Sequence, residues 1–172
     1  FTHTATTEIY TGCRSSAASD VYKRQGLVFQ FPERHFLGLT VGQELRLGHR
    51  RLEAGRLEAV LERVGLSRLS LQQQPERLSG GQQRRLALAV QLLRDARVLL
   101  LDEPTAGLDW AVRSDVVALL GDLARERVVL VVTHEPELFR ELEPRSWRLQ
   151  QGRLSPMEPG ALRTMPATGG RA

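Results

Sequence analysis

The spacing of apolar residues changes along the chain and predicts alternating strands and helices. Runs of apolar residues too short for helices predict three strands, at 26–30, 98–101 and 128–132. Apolar residues at helical spacing predict helices over 40–65, 81–94, 110–125 and 135–142, with Gly65 as a C-cap. A terminal hairpin is predicted over 147–154, turning at Gln151-Gly152.

The order of these elements predicts an α/β fold. Uniformly apolar strands, such as 98–101 and 128–132, indicate fully buried strands in a parallel sheet with helices on both faces. In such sheets, ligands bind beyond the carboxyl ends of the strands. Polar residues stand at these ends in all three strands: Gln30, Asp102-Glu103 and Thr133-His134. The pattern therefore predicts a single polar rim as the functional site.

The amino-acid composition of the chain excludes some classes of function. The 172 residues include 24 Lys or Arg and 20 Asp or Glu, for a net charge of +4. Arginines alternate with glutamates, as in Arg125-Glu126-Arg127, so no basic cluster indicates a nucleic-acid partner. No apolar run approaches the roughly 20 residues of a membrane span. The single cysteine, Cys13, excludes an internal disulfide.

Differences in composition divide the chain into three segments. Residues 1–25 hold the only lysine, both tyrosines and the only cysteine, and we expect a foreign or disordered leader there. Residues 26–154, rich in Leu, Arg and Glu, predict one domain in which 35–93 form a helical subdomain. Residues 155–172 are rich in Pro and Gly and predict a flexible tail.

Two adjacent carboxylates end the second predicted strand. Asp102 and Glu103 follow four aliphatic residues and precede Pro104. We predict that Asp102 holds Mg²⁺, as the strand-end aspartate does in phosphate-loop NTPases. Glu103 is predicted to polarise the attacking water as a general base. The alternative is a pair of solvated loop carboxylates, which the buried strand before them disfavours.

A glycine pair precedes the predicted helix at 81–94, which has a wide apolar face, in the run Leu78-Ser79-Gly80-Gly81-Gln82. Glycine lets the backbone approach an anion, and a helix N-terminus offers unpaired N–H groups and partial positive charge. The Ser79 hydroxyl adds a donor. The alternative is a serine N-cap followed by a glycine turn. The complete run favours a phosphate-binding turn.

Three further polar residues are candidates because of their positions. Gln30 ends the first strand. His134 ends the third, where a neutral imidazole beside the carboxylates would reach a phosphate and the attacking water, although such a histidine is more often structural. Asp109, before Trp110, is typical of a helix N-cap, and we expect it also to contact another subunit.

Taken together, these motifs resemble the nucleotide-binding domain of ABC transporters over nearly all of residues 26–154. Gln30 is similar to the Q-loop, 78–82 to the signature motif, 98–103 to the Walker B strand, 106–109 to the D-loop and His134 to the switch histidine. In that family two domains pair head to tail. ATP is held between the Walker A loop of one domain and the signature of the other, and closing of the pair drives a membrane partner.

The resemblance implies a role for each matched residue. Gln30 would contact Mg²⁺ and the attacking water and sense the membrane subunit, and Asp102 would support Mg²⁺. Glu103 would be the general base, and His134 would brace the γ-phosphate of ATP. The residues implied to act on ATP held by a second ATPase domain, or to couple the two sites, are Ser79, Gly80, Gly81, Gln82 and Asp109.

The segment 26–33, with 38–41 after it, resembles the energy-coupling-factor branch, whose ATPases serve cobalt, nickel and vitamin importers. The resemblance implies an ATP-hydrolysing subunit that powers import of a metal ion or vitamin. The subunit would lie peripherally at the cytoplasmic face of the cell membrane, in a homodimer or heterodimer on an integral membrane subunit. Another ABC importer or an exporter is the next alternative.

One motif of this family is missing. No G-x-x-x-x-G-K-[ST] run occurs, and the only lysine is Lys23. The predicted fold is therefore a P-loop NTPase-type sheet with a helical signature subdomain, but without the first strand and the Walker A loop. We expect N-terminal truncation, no ATPase activity of this chain alone, and a sheet with part of its face and edge uncovered.

Three other classes are less consistent with the sequence. A DNA-maintenance ATPase would carry long coiled coils between Gln30 and Leu78, and this segment lacks sustained heptads. A translation-associated ATPase would carry a second motif set. A non-catalytic interaction protein would be expected to lose Glu103 or His134.

Overall fold

The computed structural model describes residues 24–158 and 160–164. A three-stranded parallel sheet lies at its centre, with β1 Gln25–Val28, β2 Val98–Asp102 and β3 Val128–Val132 in the order β1-β2-β3. Val28 pairs with Leu101, and Asp102 pairs with Val132. The three strands therefore end at the same edge, as the apolar pattern predicts. The expected leader, 1–25, lies almost entirely outside the described residues.

The described residues form four α-helices: α1 Val41–Arg46, α2 Ala54–Arg63, α3 Gly80–Leu93 and α4 Trp110–Ala124. Helices α3 and α4 contact the sheet, and α1 and α2 contact α3. 3-10 helices form at Pro32–His35, Pro75–Arg77, Pro136–Leu142 and Ala161–Thr164. Helices α3 and α4 agree closely with their predicted bounds. The predicted helix at 135–142 is a 3-10 helix instead.

The single helix predicted over 40–65 is wrong. The chain forms two helices, α1 and α2, because the backbone leaves the helical region after Arg46 and Gly48 adopts a φ of +84°. The expected cap at Gly65 is confirmed by its φ of +69°. The N–H of Leu66 donates to the Leu61 carbonyl at 2.7 Å, which completes a Schellman motif.

The hydrophobic core lies between the sheet and helices α3 and α4. Leu99 and Leu101 of β2 point toward this core and are buried, as are Leu86 and Leu93 of α3 and Val116 of α4. Because α3 and α4 pack on the same face, most apolar burial in the described part of the chain occurs on that side of the sheet.

The opposite face of the sheet is exposed in the described part of the chain. Leu27, Leu130 and Val132 are 45%, 49% and 58% exposed. Strand β3 alternates between exposed and half-buried positions, so the prediction of a fully buried strand at 128–132 is wrong. The physical reason is that no described element covers this face, which agrees with the expected uncovered part of the sheet.

The C-terminal hairpin is confirmed. Strands β4 Trp147–Gln150 and β5 Arg153–Pro156 pair antiparallel around Gln151 and Gly152, both at positive φ. Regular elements occur within 155–164, which is part of the segment expected to be a flexible tail. Strand β5 continues through Ser155 and Pro156, and the 3-10 helix at Ala161–Thr164 buries Leu162, because this turn packs against Pro136–Leu142.

None of the helices in the described ranges combines the length and apolar character needed to cross a bilayer.

Candidate functional site

The predicted polar residues meet at one edge of the sheet, which we call the carboxyl rim. It comprises the residues that end or follow the three parallel strands: Gln30, Asp102, Glu103, Thr133 and His134. Gln30 stands two residues after β1, and His134 stands two residues after β3. Parallel pairing brings these ends together, because neighbouring strands then run in the same direction and finish side by side.

Glu103 is the most constrained residue of the rim. Its side chain is buried, and its φ of +46° lies in the left-handed region that costs a non-glycine residue about 1–3 kcal/mol. One carboxylate oxygen accepts the His134 backbone N–H at 2.8 Å, and the other accepts the Thr133 hydroxyl at 3.2 Å. Hydrogen bonds to a charged group contribute about 1.5–3 kcal/mol each, so they offset the backbone strain.

Two further residues of the rim, His134 and Asp102, are open to solvent. The His134 side chain is 97% exposed, and its Nε2 lies 3.6 Å from Glu103 Oε1. Asp102 is exposed at the end of β2 and is paired by its backbone to Val132. A fixed, buried carboxylate thus lies beside an accessible carboxylate and an accessible imidazole. This arrangement can hold a cation and accept a proton from a water molecule.

Ser79 and Gln82 form a capping box at the start of α3. The Gln82 N–H donates to Ser79 Oγ at 3.3 Å, and the Ser79 N–H donates to Gln82 Oε1 at 3.0 Å. The N-cap named as the alternative reading of this run is therefore present in the structure. The Ser79 hydroxyl keeps its own proton to donate, and Ser79 is exposed.

The two glycines of this turn differ in their surroundings. A Cβ built on Gly81 would lie 2.3 Å from Val112 Cγ1, so glycine is needed for α3 to approach α4. A Cβ on Gly80 would lie 3.3 Å from Leu108 Cδ2, which is a tight but tolerable contact. Close packing alone therefore accounts for glycine at position 81.

Asp109 caps α4, as its N-cap reading predicts. Its Oδ1 accepts the Val112 N–H at 3.0 Å. A contact of Asp109 with a second subunit remains a prediction.

Arg84 is a residue near the rim that sequence reasoning missed. Its side chain is buried, and Nη2 donates to the carbonyls of Gln30, at 3.1 Å, and Ala106. Burial lowers the pKa of the Arg84 guanidinium from its ordinary value, and the Glu33 carboxylate opposes this shift. The available signal was its spacing, since Arg84 falls three residues after Gly81 and four before Leu88 on the buried face of α3.

Arg113 and Glu135 were missed as well. Their side chains form an ion pair at 2.7 Å, and each is about one quarter exposed. Arg113 Nε also donates to the Leu108 carbonyl at 2.7 Å, and the Glu135 N–H donates to Thr133 Oγ1 at 3.0 Å. The one sequence signal that could have indicated Glu135 is its position directly after His134.

The fold and the rim define a class of protein. A parallel α/β sheet that ends in adjacent carboxylates, with a glycine turn and helix N-terminus near its carboxyl edge, is the architecture of P-loop NTPases. A family model described as ABC transporter matches residues 4–106. That match covers more than half of the chain, so the chain belongs to the ABC transporter family. The match begins within the segment 1–25.

Individual relatives are consistent with this assignment. The ABC transporter I family member 11, chloroplastic, of Arabidopsis thaliana is 42% identical over 139 residues, covering 76% of this chain and 50% of the relative. The energy-coupling factor transporter ATP-binding protein EcfA2 of Symbiobacterium thermophilum is 39% identical over 148 residues, covering 82% and 51%. The thiamine import ATP-binding protein ThiQ of Cereibacter sphaeroides is 41% identical over 143 residues, covering 82% and 61%.

A solved structure agrees with the fold. CbiO1 from Clostridium perfringens, described as part of the ABC transporter complex CbiONQ, superposes with a TM-score of 0.71 at 28% identity and covers 81% of this chain and 59% of CbiO1. The EcfA2 relative confirms the resemblance to the energy-coupling-factor branch. The chain spans about half to three fifths of the length of these relatives.

Proposed function

We propose that this chain is part of an ATP-hydrolysing subunit of an ABC importer. The observation that carries the proposal is the Glu103 carboxylate, which Thr133 and His134 hold at the rim beside the exposed Asp102. A general base must be fixed within reach of the water it activates, and such a base contributes about 10²–10⁴-fold to a rate.

The rim suits Mg²⁺·ATP better than a permanent metal centre. In the described residues, no group of three or more His, Cys, Asp and Glu side chains could hold a metal ion. Mg²⁺ normally takes one or two carboxylates and completes its shell with water and phosphate oxygens, so Asp102 and the amide of Gln30 fit as its protein ligands. When bound, Mg²⁺ would neutralise charge on the phosphates. Glu103 would take the proton of the attacking water, and His134 would brace the γ-phosphate.

Residues 78–82, which we call the signature turn, would bind ATP held by a second ATPase domain. Ser79 is exposed with a free hydroxyl proton, and Gly80 and Gly81 begin α3 with their N–H groups at its positive end. These groups would contact the γ-phosphate of ATP bound by the partner domain. Gln82 supports the turn through its bond to the Ser79 backbone, and Asp109 would couple the two sites.

An integral membrane subunit is the further partner. The exposed Leu37 and Leu39, 81% and 78% accessible, follow Gln30 closely in the chain and offer apolar contacts to such a subunit. This arrangement would place the protein peripherally at the cytoplasmic face of the membrane. The relatives named for an energy-coupling factor and for thiamine import support a vitamin or a metal ion as cargo.

Association with an intact relative tests the role of the signature turn. The purified chain is mixed with EcfA2 of Symbiobacterium thermophilum, and complex formation is followed by sedimentation with and without Mg²⁺·ATP. We expect ATP-dependent association that Ser79→Arg abolishes and that Ser67→Arg, at another exposed serine, leaves intact. Equal association of the two variants would contradict the proposed contact.

Hydrolysis tests the catalytic assignment. We expect the purified chain alone to release no phosphate from ATP, because its only lysine, Lys23, lies in no G-x-x-x-x-G-K-[ST] run. In a chimera that carries the N-terminal segment of EcfA2 before Gly26, Glu103→Gln should lower kcat by about 10²-fold or more. Glu141→Gln, at an exposed glutamate, is the control. Turnover that survives Glu103→Gln would refute the assignment.

A further inference from the structure

The D-loop, residues 106–109, is bound by two arginines from different helices. Arg84 of α3 donates from Nη2 to the Ala106 carbonyl. Arg113 of α4 donates from Nε to the Leu108 carbonyl at 2.7 Å. Two of the loop's carbonyl groups are thus held by charged donors, which form stronger hydrogen bonds than neutral ones.

On one side, Arg84 joins the D-loop to the end of β1. The nitrogen that binds the Ala106 carbonyl also donates to the Gln30 carbonyl at 3.1 Å, and Nη1 lies 3.5 Å from the Gly80 carbonyl. Residue Arg84 is 6% exposed, and its buried Nε has no hydrogen-bond partner in the described residues. Water therefore cannot easily replace either carbonyl if Gln30 and Ala106 move apart.

On the other side, Arg113 joins the D-loop to Glu103. Arg113 pairs with the Glu135 carboxylate at 2.7 Å, and the Glu135 N–H donates to Thr133 Oγ1 at 3.0 Å. The same Thr133 hydroxyl donates to Glu103 at 3.2 Å. A continuous series of polar contacts and one short loop therefore connects Gln30 to the Glu103 carboxylate.

We propose that Arg84 and Arg113 are positioning residues that couple Gln30 to Glu103 through the D-loop. A displacement of the chain at Gln30 pulls on Ala106 through Arg84, shifts Leu108 and Arg113, and changes how Thr133 and His134 hold the Glu103 carboxylate. The proposal rests on the proposed function, in which Glu103 is the general base. The coupling itself is a property of the folded chain and requires no nucleotide.

Amide hydrogen exchange of the ¹⁵N-labelled chain, without nucleotide, measures this coupling at both ends. The His134 N–H, bound to Glu103, reports on the catalytic end. The Arg34 N–H, bound to the Phe31 carbonyl at 3.2 Å, reports on the Gln30 end. The variants are Arg84→Lys, Arg113→Gln and their combination. Amides of strand β2 report whether each variant keeps its global fold.

Two neighbouring arginines provide matched controls. Arg85 follows Arg84 on α3 and donates to the Gly81 carbonyl within its own helix. Arg125 follows α4 and makes an exposed pair with Asp122. We expect Arg85→Lys and Arg125→Gln to leave exchange at both reporter amides within about twofold of the parent. Arg85→Lys keeps the charge of a half-buried side chain that bonds within its own helix, and Arg125 is exposed, where substitutions usually change stability by less than about 0.5 kcal/mol.

Each positioning variant should accelerate exchange at the distant reporter. Arg113→Gln should speed exchange of His134 about tenfold, as expected for loss of a charge-assisted bond, and that of Arg34 at least about threefold. Arg84→Lys should also speed exchange of both the His134 and the Arg34 amides. At each amide, exchange in the double variant should be less than about twofold faster than in the faster single variant. This non-additivity is the signature of shared coupling.

The coupling must also act in both directions, because energetic coupling between sites is reciprocal. If the strand β2 amides of Arg84→Lys lose their protection, that variant no longer keeps its global fold. The test of coupling is then whether Arg113→Gln speeds exchange of the Arg34 amide. The proposal would be overturned if the distant reporter amide exchanged at the same rate in the positioning variants as in the controls. It would also be overturned if the rate increases of the two single variants multiplied in the double variant. Neither result depends on ATP hydrolysis, so failure of the coupling is distinguishable from failure of the proposed function.

Discussion

Replacing Gly81 by alanine tests whether the signature turn needs glycine at this position for helix packing or for contact with a phosphate. In the structure, an added Cβ would meet Val112 Cγ1 at 2.3 Å, far inside ordinary van der Waals contact. Valine in a helix has one strongly preferred side-chain rotamer, so Val112 cannot rotate away cheaply. The helices α3 and α4 must therefore separate, or Val112 must adopt an unfavourable rotamer.

The expected cost follows from two opposing contributions. Overpacking of a well-packed contact costs about 1–3 kcal/mol. Alanine gains about 0.5–1 kcal/mol over glycine within a helix. We expect Gly81→Ala to lower the free energy of unfolding by about 1–2 kcal/mol, which corresponds to a fall in Tm of roughly 4 °C.

Urea denaturation followed by circular dichroism measures this change. Gly80→Ala is the control, because its Cβ would sit 3.3 Å from Leu108 Cδ2, and its unfolding free energy should stay within about 0.5 kcal/mol of the parent. Val112→Ala removes the clashing methyl groups. Adding it to Gly81→Ala should therefore recover about 1 kcal/mol relative to additive single effects. A fully stable Gly81→Ala that loses ATP-dependent association would refute packing as the reason for this glycine.

Three other predictions test local interactions. Ser79→Ala breaks one half of the capping box and should cost about 1 kcal/mol in urea denaturation, whereas Ser79→Asp should retain most of the stability. Glu44 is buried and accepts two backbone N–H groups at 2.7 and 2.8 Å, so Glu44→Ala should cost about 2–4 kcal/mol, and a loss below about 0.5 kcal/mol would contradict this reading. Hydrogen bonding and charge from Arg63 lower the pKa of Glu126, so this pair stabilises the fold at neutral pH and the contribution is lost as pH falls through that lowered value. Arg63→Gln should raise the pKa of Glu126 in an NMR titration.

The spacing of apolar residues in the sequence was sufficient to predict the strands that precede the rim residues. Val98–Asp102 and Val128–Val132 are strands because short aliphatic runs cannot satisfy a helical stripe, and Asp102 and His134 follow them in the chain. The turn at Gly65 was predictable because only its backbone freedom is needed there. These features depend on residues close to one another in sequence.

Other features required contacts between distant segments. The spacing of Leu57, Val60, Leu61 and Val64 predicts a helix, but the same reasoning could not detect the break near Gly48, since favourable apolar spacing occurs on both sides of it. The exposure of Leu130 and Val132 depends on which elements cover the sheet, and an apolar strand looks the same in sequence whether or not it is covered.

The sequence by itself determined the order of strands and helices, the polar strand ends and the family, because these depend on local spacing and on short ordered motifs. Only the tertiary structure decided that Gly81 is needed for packing against Val112, and that Arg84 binds the carbonyls of Gln30 and Ala106. The sequence does not distinguish an arginine on a solvated face from one in a buried contact. Its role is set by whichever carbonyl groups the fold brings within hydrogen-bonding distance, and these lie 54 and 22 residues away along the chain.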